Sequence, residues 1–123
     1  MEKFMLIIRE DLGKMGKLTD EERFANIPMM LKWVDSLIES GNYIMGEPLL
    51  VKGRYVSKDQ ILSDGPFIEA QEGISGYEII RAESLEQAAA IAQNCPLVQS
   101  GLGHVVSHFR PLSVIAVAQS AGL

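Results

Sequence analysis

The sequence predicts a small α+β domain in which two helices lie on one mostly antiparallel sheet. Three observations carry this expectation. The order of periodic segments reads β, α, several β, α, β, which is the layered solution of helices packed on a sheet. No internal repeat or low-complexity linker divides the 123 residues, a length that suits one domain. The composition, 47% hydrophobic and 22% charged, is that of an ordinary globular chain, able to bury a core without metal or disulfide staples.

Residues 4–8, Phe-Met-Leu-Ile-Ile, are apolar at both alternating positions and read as a central, buried strand. The run is too short for a signal segment or a membrane-spanning helix, which needs ~20 residues. Residues 10–19 are polar, contain Gly13 and Gly16, and read as a loop. The Gly13-Lys14-Met15-Gly16-Lys17 stretch lacks the ending and spacing of a phosphate-binding loop.

Thr19 and Glu22 have the spacing of a capping box, in which each side chain satisfies a backbone N–H of the other at a helix start. Phe24, Ile27, Leu31, Val34, Leu37 and Ile38 then recur at helical spacing up to Gly41, a helix-ending glycine. Trp33 stands off this stripe and is read as lining a cavity or interface, or as packing in the core. Pro28 predicts a break or kink, with the main helix after it, because proline removes a donor and crowds the preceding turn.

Residues 43–45 and 49–56 read as strands separated by Gly46-Glu47-Pro48, residues 60–62 as a short extended piece, and residues 74–81 as the next strand. Ser84 and Gln87 repeat the capping spacing ahead of an Ala-rich helix over residues 85–94, which Pro96 ends or follows with another turn. Residues 104–110 close the fold as a last strand. Helices cover one sheet face. Met5, Ile7, Tyr77, Ile79 and Val106 are apolar on the other, which predicts that a second copy covers it and that the protein is a homodimer. Residues 1–112 form the domain. Residues 113–123 carry no charge and are expected to pack on their own subunit or its partner.

Net charge is −5, which disfavours nucleic acid or an anionic membrane as partner. Cys95 is the only cysteine, so no intrachain disulfide forms and a reducing cytoplasm is the expected location. With no basic neighbour to lower its pKa it reads as structural. No Cys-x-x-Cys, His-Glu-x-x-His or Gly-x-Ser-x-Gly occurs. His104 and His108, four apart on a strand, are separated by roughly 13 Å, too far to share one ion. No metal or cofactor is expected.

Residues 63–69, Ser-Asp-Gly-Pro-Phe-Ile-Glu, belong to an ordered set of motifs. The set includes the apolar opening strand, Gly41 with Gly46-Glu47-Pro48, Gly76-Tyr77-Glu78-Ile79-Ile80, Ser84-Leu85-Glu86-Gln87-Ala88, Cys95-Pro96 and Arg110-Pro111-Leu112. Together they resemble the YCII-related proteins of the DGPF subgroup across most of the chain. The resemblance implies a ferredoxin-like two-layer sandwich, a dimeric α/β barrel, and a pocket between sheet and helices. It also implies a proposed catalytic His–Asp pair, whose helix histidine would fall near Met30. No histidine lies on that helix here.

Asp64 is the first site candidate, as turn former or as a carboxylate facing the pocket. His108 and Arg110, two apart on the last strand, suit a proton carrier and an anion clamp. Tyr77 and Glu69 are candidate substrate contacts. Two functions follow. The chain binds a small organic molecule in the pocket without settled chemistry. Alternatively, it performs isomerase- or lyase-type acid/base chemistry on a small organic acid with Asp64, His108 and Arg110.

Overall fold

The computed structural model describes residues 1–50, 53–62 and 72–109, with the backbone alone for Tyr55, Leu62, Glu72 and residues 106–109. Its elements are β1 (Glu2–Asp11), α1 (Leu12–Met15), α2 (Asp20–Glu39), β2 (Tyr43–Pro48), β3 (Tyr55–Val56), β4 (Ile61–Leu62), β5 (Glu72–Ala82), α3 (Leu85–Gln93), α4 (Pro96–Gln99) and β6 (Gly103–Phe109). Four strands form one sheet in the order β2-β5-β1-β6, every neighbouring pair antiparallel. β3 and β4 pair separately. With α2 following β1 and α3 following β5, this is the ferredoxin-like two-layer sandwich.

The core follows from period-two burial meeting helical burial. Phe4, Leu6 and Ile8 of β1 and Ile80 and Ala82 of β5 point to the helix side and are buried. Trp33 and Leu37 of α2, Ala88 and Ala92 of α3, and Cys95 and Leu97 close over them. The opposite face of the sheet, with Met5, Ile7, Tyr77 and Ile79, is only half-buried. The small Ala88 and Ala92 let α3 approach the sheet closely.

Both N-caps form, but the reciprocal bond of a capping box closes only at α2; at α3 the Gln87 side chain accepts from the Glu83 N–H instead. The Thr19 hydroxyl accepts from the Glu22 N–H (3.1 Å), and Glu22 Oε1 accepts from the Thr19 N–H (3.1 Å). The Ser84 hydroxyl accepts from the Gln87 N–H (3.1 Å). Gly41, at φ 77°, turns the chain out of α2, where a side chain would be strained.

Four expectations are corrected. α2 runs through Pro28 without interruption. Phe24, whose carbonyl loses its donor, is 66% exposed, so water can satisfy that carbonyl. The core-facing stripe of α2 is Trp33 and Leu37, buried, with Met30 and Val34 half-buried beside them, whereas Phe24, Ile27, Leu31 and Ile38 are exposed. Trp33 is therefore a core residue. Residues 12–15 form a helical turn rather than loop, capped by Asp11, whose side chain accepts from the Lys14 N–H (3.0 Å). Finally, Gly46-Glu47-Pro48 completes β2 instead of ending it. Pro48 is tolerated because β2 is an edge strand at that point. Of the expected strand over residues 49–56, the Leu49 N–H donates to the Ser75 carbonyl (2.7 Å) and β3 pairs with β4, while residues 51–52 lie outside the described residues.

Candidate functional site

Under the N-terminal half of α2 the helix stands off the sheet and leaves a cavity of about 480 Å³. Gly76 of β5 contributes no side chain to fill it. Ile8 and Leu97 floor it, Ile27, Met30, Leu31 and Val34 roof it, and Pro48 closes one side. The polar residues of the lining are Glu10, Arg23, Asn26, Glu47, Ser75 and Glu78. At one end, Met15 is held by an Arg23 guanidinium N–H donating to its carbonyl (3.3 Å). Lys14 Nζ donates to the Gly101 carbonyl (3.1 Å), tying α1 to the turn after α4. Cavities of this size, apolar with a few convergent polar groups, are the usual form of small-molecule sites.

Glu78 is the unusual residue. On β5 it shares the helix-facing side with Gly76, Ile80 and Ala82, and it is 8% exposed. Its Oε2 is buried without a hydrogen-bond partner among the described residues, a costly state for a charged carboxylate. Burial pushes its pKa above the ordinary carboxylate range, opposed by hydrogen bonding from the Tyr43 phenol. Tyr43 is itself pushed up to about 12, first by burial and then by Glu78. The pair is therefore a neutral donor, Tyr43, beside a carboxyl whose proton is held to higher pH than usual.

Gly46 makes this placement possible. It stands opposite Glu78 in the β2–β5 register. A Cβ there would collide with the Glu78 carboxyl and with the Tyr77 carbonyl. Near the same wall, Met30 Sδ lies 3.9 Å from Cys95 Sγ. Met30, the position where the resemblance puts a catalytic histidine, does line the cavity, with a thioether in its place. Cys95 is fully buried, and that burial raises its pKa, so the thiol is held protonated.

Of the residues singled out from sequence, Asp64, Glu69 and Arg110 lie outside the described residues, as does the tail over residues 113–123. The backbone of His108 pairs with Met5 in the β1–β6 register, and its side chain is outside the described set. Tyr77 alternates with Gly76 and Glu78, so it stands on the other face of the sheet and does not line this cavity. His104 opens on a different hollow, between α3, α4 and β6. Among the described residues, no three of His, Cys, Asp and Glu are placed to share a metal ion. None of the described helices is long and apolar enough to cross a membrane.

Glu78 itself was not singled out from sequence. The signal was present: period two places it on the side of Ile80 and Ala82, a lone carboxylate on an otherwise apolar strand face. Its motif drew attention to the neighbouring Tyr77 instead.

The fold and cavity define a class of small α+β proteins with a ligand-sized space between helix and sheet. The sequence matches the YCII-related domain over residues 3–110, and the chain belongs to that family. Among solved structures it is similar to the 5-chloro-2-hydroxyhydroquinone dehydrochlorinase of Burkholderia phenoliruptrix AC1100, solved in complex with 2,5-dihydroxybenzoquinone. The match has a TM-score of 0.59 at 16% identity, covering 90% of this chain and 95% of the dehydrochlorinase, and shows a shared fold. No curated protein matches the sequence.

Proposed function

We propose that this chain is a proton-transfer enzyme that binds a small organic molecule in the cavity under α2, with Glu78 as its acid/base group. The observation that carries this reading is Glu78, a buried carboxyl unpartnered at Oε2 among the described residues, in the lining of a ligand-sized, mostly apolar space. A carboxyl held neutral to higher pH gives a proton to one substrate atom and takes one back from another. The carboxyl ends as it began, and no oxidant is needed. The shared fold with an enzyme that acts on a hydroxylated aromatic ring supports substrates of that kind.

Turnover of a panel of hydroxylated and halogenated quinols, followed by absorbance and by halide release, tests the reading. Glu78→Gln keeps the shape and removes the titrating proton, so kcat is expected to fall by ~10²–10⁴. A variant turning over like wild type would remove Glu78 from the chemistry. Asp64→Asn and His108→Ala belong in the same assay, with Asp64 as base, His108 as second acid/base group, and Arg110 and Glu69 as substrate contacts in the alternative arrangement. Loss in those variants with Glu78→Gln unaffected would transfer the chemistry to them.

The functional unit in this proposal is a homodimer joined through the sheet face that carries Met5, Ile7, Tyr77 and Ile79, with residues 113–123 packed on the same or the partner subunit. The half-burial of four apolar residues on a face that no described helix covers supports it. Ile7→Lys is expected to yield monomers in sedimentation, and an unchanged dimer would place the interface elsewhere.

A further inference from the structure

The charges around the cavity are unbalanced. Among the described residues of the lining, the carboxyls of Glu10 and Glu78 belong to the helix-facing side, against one guanidinium, whereas Glu47 pairs with Tyr77 and shares its face. That guanidinium, Arg23, is already engaged: its Nη1 lies 3.6 Å from Asp20 and its Nη2 donates to the Met15 carbonyl. An entering carboxylate would meet like charge, with no free cation among the described residues to receive it. A cation could pair with Glu10, but one seated at Glu78 would need that carboxyl ionised, which its burial opposes. The remaining lining is aliphatic and thioether.

The space also bounds the ligand. An apolar cavity of ~150 Å³ is enough for benzene. At about 480 Å³ this one admits a substituted ring with room around it. Of the two buried side-chain polar atoms without a partner among the described residues, Trp33 Nε1 and Glu78 Oε2, only the second belongs to a residue of the cavity lining, and in the protonated acid Glu78 can serve as donor.

We infer that the cavity under α2 selects an uncharged, ring-bearing molecule that offers a carbonyl-type oxygen to Glu78, and that Gly46 is the positioning residue that keeps room for that carboxyl. The inference rests on Glu78 being the group that meets the ligand, as in the function proposed above, and names what it meets. Among the described residues, Tyr43 from β2 and Cys95 ahead of α4 interact with Glu78, and Glu10 from β1 and Arg23 from α2 are the other ionisable residues of the lining on that side. None of them supplies an unengaged positive charge.

Three probes of one shape separate the possibilities: acetophenone, benzoate and benzylammonium. They are titrated at pH 5.5 into the protein while its backbone amides are followed by NMR. Acetophenone is expected to move the amides of Ser75, Gly76 and Glu78 and to bind at least tenfold more tightly than either ion. Glu78→Leu should lose at least tenfold for acetophenone. Glu78→Gln, which still donates, should retain binding. Raising the pH to 8.5 should weaken binding to wild type and leave Glu78→Gln unchanged. Benzoate or benzylammonium binding as tightly as acetophenone at those amides overturns the ligand class and leaves the cavity as a site. Silence of those amides with all three probes overturns the site itself, and the proposed function with it.

A double-mutant comparison reads the role of Gly46. Gly46→Ala should lower the thermal midpoint more in the wild-type background than in Glu78→Ala, where the colliding carboxyl is gone. Equal shifts in the two backgrounds would overturn the positioning role.

Discussion

The two halves of α2 face the same sheet and meet it differently. From Trp33 onward the helix buries Trp33 and Leu37 against strand positions filled by Phe4, Ile80 and Ala82. Before Trp33 it buries nothing: Asn26 and Met30 are half-covered, and Phe24, Ile27, Met29 and Leu31 are more than half exposed. The sheet beneath explains the contrast. β5 presents Ile80 and Ala82 under the C-terminal half, but Gly76 and the carboxyl of Glu78 under the N-terminal half. Where β5 offers methyl groups, the helix seals. Where it offers a glycine and a polar group, the helix spans a cavity. One half holds the fold together and the other roofs the cavity.

If that division is right, the largest effect on stability lies in the sealed half. Leu37→Ala removes a side chain that is 6% exposed and leaves a hole that neighbours cannot fully close. A loss of ~2–5 kcal/mol is expected by urea unfolding. A loss below ~1 kcal/mol would mean that the C-terminal half is as loosely seated as the N-terminal one.

The open half depends more on its own ends, since few tertiary contacts hold it. Thr19→Ala should cost ~1 kcal/mol, typical of a lost N-cap. The pH dependence sharpens the test. Hydrogen bonds from the Thr19 backbone and hydroxyl lower the pKa of Glu22 below its usual 4.5. A lowered carboxyl contributes stability above its unfolded value, and the contribution is lost as pH falls below 4.5 through the folded value. The difference between wild type and Thr19→Ala should therefore shrink in acid. A difference that stays constant from pH 7 to pH 3 would show that the Thr19 hydroxyl donating to Glu22 adds nothing at this end.

Much of this architecture was legible in the residues. The capping pairs, the glycine stop at Gly41, the opening strand and the closing strand are local signals, and each survives into the fold because packing agrees with it. The misjudged features are those that depend on a neighbour. The periodicity of α2 fits two apolar stripes, one through Phe24, Ile27 and Leu31 and one through Met30, Trp33 and Leu37. Only the sheet decides which is buried. Gly46 looked like a strand break because glycine often is one. Its reason for being glycine is Glu78, 32 positions along the chain and opposite it in the register. Glu78 carries no local mark either: an acidic residue in a strand is ordinary until the other face of the layer is known.

The smallest expected stability effect makes the sharpest test of the comparison. Ile27 lines the cavity roof yet is 52% exposed, so it rests on little that its removal could disturb. Ile27→Ala should change unfolding free energy by no more than ~0.5 kcal/mol, the range of ordinary surface substitutions. The same change strips apolar surface from the ligand's side of the helix, so acetophenone should bind several-fold more weakly. Stability retained with affinity lost is what separates a residue that lines a site from one that builds a core. A destabilisation comparable to that of Leu37→Ala, measured by the same urea titration, would mean that Ile27 is packed as firmly as Leu37 and that the cavity is closed in solution.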